Sequence, residues 1–129
     1  MAGMGGKLPL RGYSYRVSAY AKIDDVEPAP KLGNHGPNGW AFELFSNLSD
    51  EEAPHRVLLE RLAAAEEGWS LTLPPVEPLE DFVEGSLRWG NHEVRVYYET
   101  TLSYLSLWSP EREAVAKLRS FILPLALAM

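Results

Sequence analysis

Residues 82 to 99 read Phe82-Val83-Glu84-Gly85-Ser86-Leu87-Arg88-Trp89, then Gly90-Asn91, then His92-Glu93-Val94-Arg95-Val96-Tyr97-Tyr98-Glu99. Successive side chains of an extended strand point to opposite faces, so Val83, Gly85, Leu87 and Trp89 share one face. Val94, Val96 and Tyr98 do the same after the turn. Gly90-Asn91 between them is a turn-forming pair, and the whole reads as a hairpin. The hairpin continues into a third strand over Leu102 to Trp108. The opposite face carries Glu84, Arg88, Glu93, Arg95, Tyr97 and Glu99, a polar surface of mixed charge.

Upstream, Tyr13, Tyr15, Val17, Ala19, Ala21 and Ile23 alternate with Ser14, Arg16, Ser18, Tyr20 and Lys22. This pattern predicts a long strand with one buried and one wet face. Pro28, Pro30, Gly33, Gly36, Pro37 and Gly39 then predict a loop over 24–39, either functional or mobile. Trp40, Phe42 and Leu44 give a second strand. Ser49-Asp50-Glu51-Glu52 has the spelling of a capping box, although Pro54 allows the helix to begin there instead. Leu58, Leu59, Leu62 and Ala65 form its apolar stripe, and Gly68 is placed to stop it. Trp69, Leu71 and Leu73 alternate as another strand. Ser109-Pro110-Glu111 predicts the start of a second helix, whose Val115, Leu118, Ile122 and Leu125 recur at helical spacing. Pro124 is expected to end or kink it.

The order of strands and helices predicts an α+β fold: a single domain with a mainly antiparallel, twisted β-sheet of about five or six strands and two helices packed on one face. Gly-rich residues 1–11 are expected to be a flexible N-terminus, and 12–129 the domain. A chain of 129 residues can bury a core without disulfides, and this one has no cysteine. Its opening residues lack the apolar core of a secretory signal, so a cytoplasmic location is expected. No run approaches the length needed to span a bilayer.

The formal net charge is −6. Lys7, Arg11, Arg16 and Lys22 precede any acid, whereas residues 24 to 93 carry fifteen acids against Lys31, Arg56, Arg61 and Arg88. That balance disfavours nucleic acid and anionic membranes, which reward clustered bases, and suits a basic protein partner. The acidic positions expected to meet it are Asp24, Asp25, Glu27, Asp50, Glu51, Glu52, Glu77, Glu80 and Asp81. The same acids in solvated loops would also simply keep the protein soluble.

No catalytic spelling is present, and neither a cofactor nor a metal is expected. His35, His55 and His92 share no metal-ligand spacing and read as surface residues near turns or a helix start. There is no Gly-x-Ser-x-Gly elbow and no Gly-rich phosphate loop. Four Trp and six Tyr place Tyr20, Trp40, Trp69, Trp89, Tyr97, Tyr104 and Trp108 near strand ends or on less buried faces; most read as core or edge residues with a satisfied OH or NH, and some as anchors of a contact surface. The charged pairs on the hairpin read first as cross-strand pairs that hold register. An alternative is a polar pocket formed by Arg88, Arg95, Tyr97 and Glu99, which would bind or protonate a small molecule.

The run from Leu87 to Glu99, followed by Tyr104-Leu105-Ser106-Leu107-Trp108-Ser109 and a helix, resembles small bacterial immunity proteins of contact-dependent and type VI competition systems. The resemblance covers the last third of the chain. It implies a non-catalytic cytosolic inhibitor that neutralises a cognate toxin, its acidic middle facing a basic toxin such as a nuclease. Two further readings stand beside it: a small-molecule-binding or weakly catalytic domain using the sheet pocket, and a homodimer formed through the apolar tail Leu125 to Met129.

Overall fold

A computed structural model describes residues 19–29, 38–46, 54–65, 67–76, 81–100 and 102–129. The elements are β1 (Tyr20–Ile23), β2 (Glu27–Pro28), β3 (Trp40–Ser46), α1 (His55–Ala64), β4 (Ser70–Thr72), β5 (Phe82–Trp89), β6 (His92–Glu99), β7 (Tyr104–Ser109) and α2 (Arg112–Leu127). All strand pairs are antiparallel, in the order β1-β3-β7-β6-β5-β4, with β2 also on β3. The fold is α+β, as the alternation and helix signals predict.

β1 and β2 are two pieces of one interrupted edge. Tyr20 faces Ser46 and Ile23 faces Leu44, while Glu27 and Pro28 face Ala41 and Trp40. Hydrogen bonds from Asp24 N to Glu43 O (2.8 Å) and from Ala29 N to Gly39 O (2.9 Å) complete the edge. Asp24 to Ala29 therefore follow β3 and do not form the start of the expected loop over 24–39; residues 30–37 lie outside the described residues. A register shift between Tyr20 and Lys22 also corrects the expected faces of the first strand. The extra residue of a bulge reverses the alternation, so Tyr20 turns into the core and Ala21 is exposed. The Tyr13 to Ser18 part of that strand and the Ser49 to Glu52 cap lie outside the described residues.

Both helices lie on one face of the sheet, α2 over β1, β3, β6 and β7, and α1 beside α2 and β4. The face they cover is the one the alternation selects. Phe42 and Leu44 on β3 stand opposite Leu107 and Leu105 on β7, which stand opposite Val96 and Tyr98 on β6. Val94 and Leu87 continue the layer, and all are nearly or fully buried. Leu58, Leu59 and Leu62 of α1 and Val115, Leu118 and Ile122 of α2 close it from above. Each such side chain contributes about 1.5–3 kcal/mol by leaving water. Gly85 alternates with Val83 and Leu87, and it is glycine because a Cβ there would strike the Thr72 carbonyl and the Leu73 side chain. β4 can thus fold closely over β5.

Three helix details differ from expectation. α1 starts at His55 behind Pro54 and ends before Ala65, so Gly68, at φ +95°, belongs to the turn into β4 and not to the helix stop. Ser109 Oγ does accept the amide of Glu111 at 3.1 Å, but Glu111 is extended and α2 begins at Arg112. Pro124 does not end α2, which runs on to Leu127. Near the last turn, a missing N–H costs one helical bond, and burial of Ile122 and Ala126 on either side holds the helix on the core. Leu125 and Met129 pack against the same core, while Leu127 is left 62% exposed.

Candidate functional site: the open face of the sheet

The residues that alternate with the core set lie on the face away from both helices. Across the strands they fall into rows set by register. Phe45, Tyr104, Glu99 and Phe82 form one row from β3 to β5, and Glu43, Ser106, Tyr97 and Glu84 the next. Ala41, Trp108, Arg95 and Ser86 form the third, and Glu93 and Arg88 pair beyond it. Small side chains at Ser106 and Ala41 lie sunk and buried between larger neighbours.

The rings meet in a continuous line. Phe82 stacks on Tyr97 at 5.7 Å between centroids, Tyr97 lies 6.1 Å from Tyr104, and Tyr104 lies 5.9 Å from Phe45. Edge and offset contacts of this kind add about 0.5–1.5 kcal/mol each beyond buried area. The Tyr97 hydroxyl donates to Glu99 Oε2 at 2.6 Å, and the Tyr104 hydroxyl donates to the same oxygen at 3.2 Å. Burial and the neighbouring carboxylate push the Tyr97 pKa up, so the phenol stays a donor. Two cations rest on rings of this face: Lys22 Nζ lies 5.4 Å from the Phe45 centroid, and the Arg95 guanidinium 5.5 Å from that of Trp108. Trp108 is itself fixed by a 2.6 Å bond from Nε1 to the Asn38 carbonyl.

Toward the β1/β2 edge the face becomes acidic. Glu43 is raised above the usual carboxylate range, first by burial and then by Asp24 and Glu27; the Ser106 hydroxyl and Lys22 oppose the shift. Asp24, Asp25, Glu27 and Glu43 line a cavity of about 80 Å³ there. A larger open groove of about 440 Å³ lies over the hairpin between Glu84, Ser86, Glu93 and Arg95.

The structure divides the acidic positions expected to meet a partner. Asp24 and Glu27 join Glu43 on the open face, and Asp25, which reaches the same small cavity, also pairs with Arg119 of α2 at 3.3 Å. Exposed Asp81 stands at the start of β5, far across the sheet, its carbonyl accepting the Thr100 amide at 3.1 Å. Asp50, Glu51, Glu52, Glu77 and Glu80 lie outside the described residues. Of the alternative pocket residues, Arg95, Tyr97 and Glu99 share the open face, while Arg88 sits opposite Glu93 at the far end of the hairpin. Sequence reading missed Glu43, Phe45, Phe82 and Ser106 as site residues. Their places on the face away from the helices follow from alternation, but their grouping, and the burial of Ser106 within it, follow only from strand pairing.

The histidines and two aromatics also need correction. His55 is not a surface residue: it is fully buried between Tyr20 and Tyr98, with ring centroids 5.6 and 5.4 Å away. Its Nδ1 pairs with the Tyr20 hydroxyl at 2.9 Å, and Nε2 has no partner of ordinary geometry among the described residues. Burial drives its pKa down to about 4 against a smaller upward pull from the Ser103 backbone. Tyr20 and Trp69 are likewise core residues. His92 stacks on Trp89 at 5.4 Å and its Nδ1 pairs with Glu111, and Trp89 in turn stacks on Trp69 and carries Lys117 Nζ at 4.1 Å. His35 lies outside the described residues. Among the described residues, no three His, Asp or Glu side chains group so as to hold a metal ion. No helix of the described residues is long and apolar enough to cross a membrane.

No family model matches the chain, and no curated protein or solved structure matches it significantly.

Proposed function

We propose that the protein is a non-catalytic, acidic protein-binding module of the immunity type, which binds a basic bacterial toxin in the cytoplasm through the open face of its sheet. The observation that supports this most directly is the aromatic line Phe82, Tyr97, Tyr104 and Phe45, flanked by Glu99, Glu43, Asp24 and Glu27. Aromatic side chains supply large contact area at low entropic cost, and carboxylates beside them select cationic partner groups. The net charge of −6 speeds encounter with such a partner from a distance. The likeness of the Leu87 to Ser109 run to immunity proteins supplies the biological setting.

Size-exclusion chromatography with light scattering, on the protein alone and mixed with the product of the adjacent gene, tests this reading. A stable one-to-one complex is expected. The paired reversals Glu43→Lys and Glu99→Lys are expected to abolish it while the protein stays folded by circular dichroism. A protein that ignores its neighbour, or a complex indifferent to both reversals, would overturn the reading.

The groove between Glu84, Ser86, Glu93 and Arg95 favours a second reading, a small-molecule site on the same face. It predicts a ligand whose binding is lost in Arg95→Gln and retained in Glu43→Lys.

A further inference from the structure

Within the open face one group differs from an ordinary surface carboxylate. Glu99 is half-buried and held by two tyrosine hydroxyls, both on Oε2. A carboxylate has about four acceptor positions, so two are used and both lie on one oxygen. Oε1 accepts no hydrogen bond from the described residues. The two rings whose hydroxyls bind it lie 6.1 Å apart between centroids, and Phe82, 53% exposed, stacks on Tyr97. Leu102, 68% exposed in the turn between β6 and β7, adds an apolar rim.

From this geometry we infer that Glu99, Tyr97 and Tyr104 form a receptor for an arginine side chain of the partner; the inference rests on the protein-binding reading above. A guanidinium is planar, weakly hydrated and rich in donors. Laid on the tyrosine faces it gains cation–π attraction, and from the same position it donates to Glu99 Oε1. A lysine ammonium is a compact, strongly hydrated point charge and loses more by leaving water. The molecule already holds cations in this way on the same face, Arg95 on Trp108 and Lys22 on Phe45. The two hydroxyl bonds fix the carboxylate before the partner arrives, which lowers the ordering cost of binding. Arginine is therefore the anchor that this site selects.

The test is an NMR titration of the full chain with N-acetyl-arginine amide, against the neutral isostere N-acetyl-citrulline amide and N-acetyl-lysine amide, at constant ionic strength. Saturating shifts at Glu99, Tyr97 and Tyr104 are expected for the arginine probe, with Kd on the order of 1–10 mM. Lysine should bind at least about threefold more weakly, and citrulline about tenfold or more. Glu99→Gln keeps an acceptor for both tyrosines and should lose about tenfold in arginine binding; Tyr104→Phe should lose less. Equal responses to arginine and citrulline, shifts centred on Glu43 and Glu27, or indifference to Glu99→Gln would overturn the inference. If a partner complex survives Glu99→Gln while the arginine response is absent, the receptor falls and the binding module stands. If neither arginine nor any neighbour binds, both fall.

Discussion

The two faces of one sheet are built from the same strands, residue by residue in alternation, and they hold together by different physics. On the helix-covered face, Val94, Val96, Leu105, Leu107, Phe42 and Leu44 are almost wholly removed from water and make no directed contacts. On the open face, Arg95, Tyr97, Glu99, Tyr104 and Trp108 are half-exposed or exposed and linked by named hydrogen bonds and ring contacts. The first arrangement draws its free energy from area and packing density. The second gains little net stability, because exposed polar contacts exchange water for protein at near parity. What this face gains in folding comes mainly from its ring contacts.

That contrast can be broken most forcefully from the covered side. Leu107→Ala, in the row between Phe42 and Val96, should cost about 2–5 kcal/mol in urea denaturation. A loss below about 1 kcal/mol would mean that the layer is not close-packed.

Acidification tests the same side through His55. An unfolded histidine protonates near its ordinary value of 6.5, while in the fold His55 stays neutral down to about pH 4. Between those values the unfolded chain binds the extra proton, so stability falls as pH falls, by about 3 kcal/mol across the whole window. His55→Gln, which offers an acceptor to the Tyr20 hydroxyl, should flatten the slope of urea stability against pH from 6.5 to 4. An unchanged slope would place the acid sensitivity elsewhere.

Gly85→Ala should cost about 1–3 kcal/mol, because its methyl group meets the Thr72 backbone; an unaltered midpoint would show that β4 simply lifts away. On the open side, Tyr97→Phe removes one bond to Glu99 and should cost about 1 kcal/mol or less. Its larger effect should appear in partner capture. Lys22→Ala, an exposed cation over Phe45, should change stability by less than about 0.5 kcal/mol. A loss as large as that of Leu107→Ala would erase the distinction between the faces.

How much of this was legible in advance depended on distance along the chain. The hairpin of β5 and β6 was readable because alternation and the Gly90-Asn91 turn are local. The buried Tyr20 was misread because a bulge changes the alternation, and no residue type near Ala21 announces one. His55 was misread because its burial comes from Tyr20, 35 residues earlier, and Tyr98, far downstream. The helical stripe of α2 was visible, but Pro124 suggested an end that packing of Ala126 overrides.

By itself the sequence determined the class of fold and the two faces of the central strands, since a period of two needs only neighbouring residues to be expressed. It also determined the acidic balance, which is composition. Tertiary structure alone decided that β3 pairs with β7, and therefore that Phe45 and Glu43 stand against Tyr104 and Ser106. It decided as well that one carboxylate gathers two tyrosines. Those are contacts between distant segments, chosen by which arrangement buries the most apolar surface over the whole chain, and no local spacing encodes that choice.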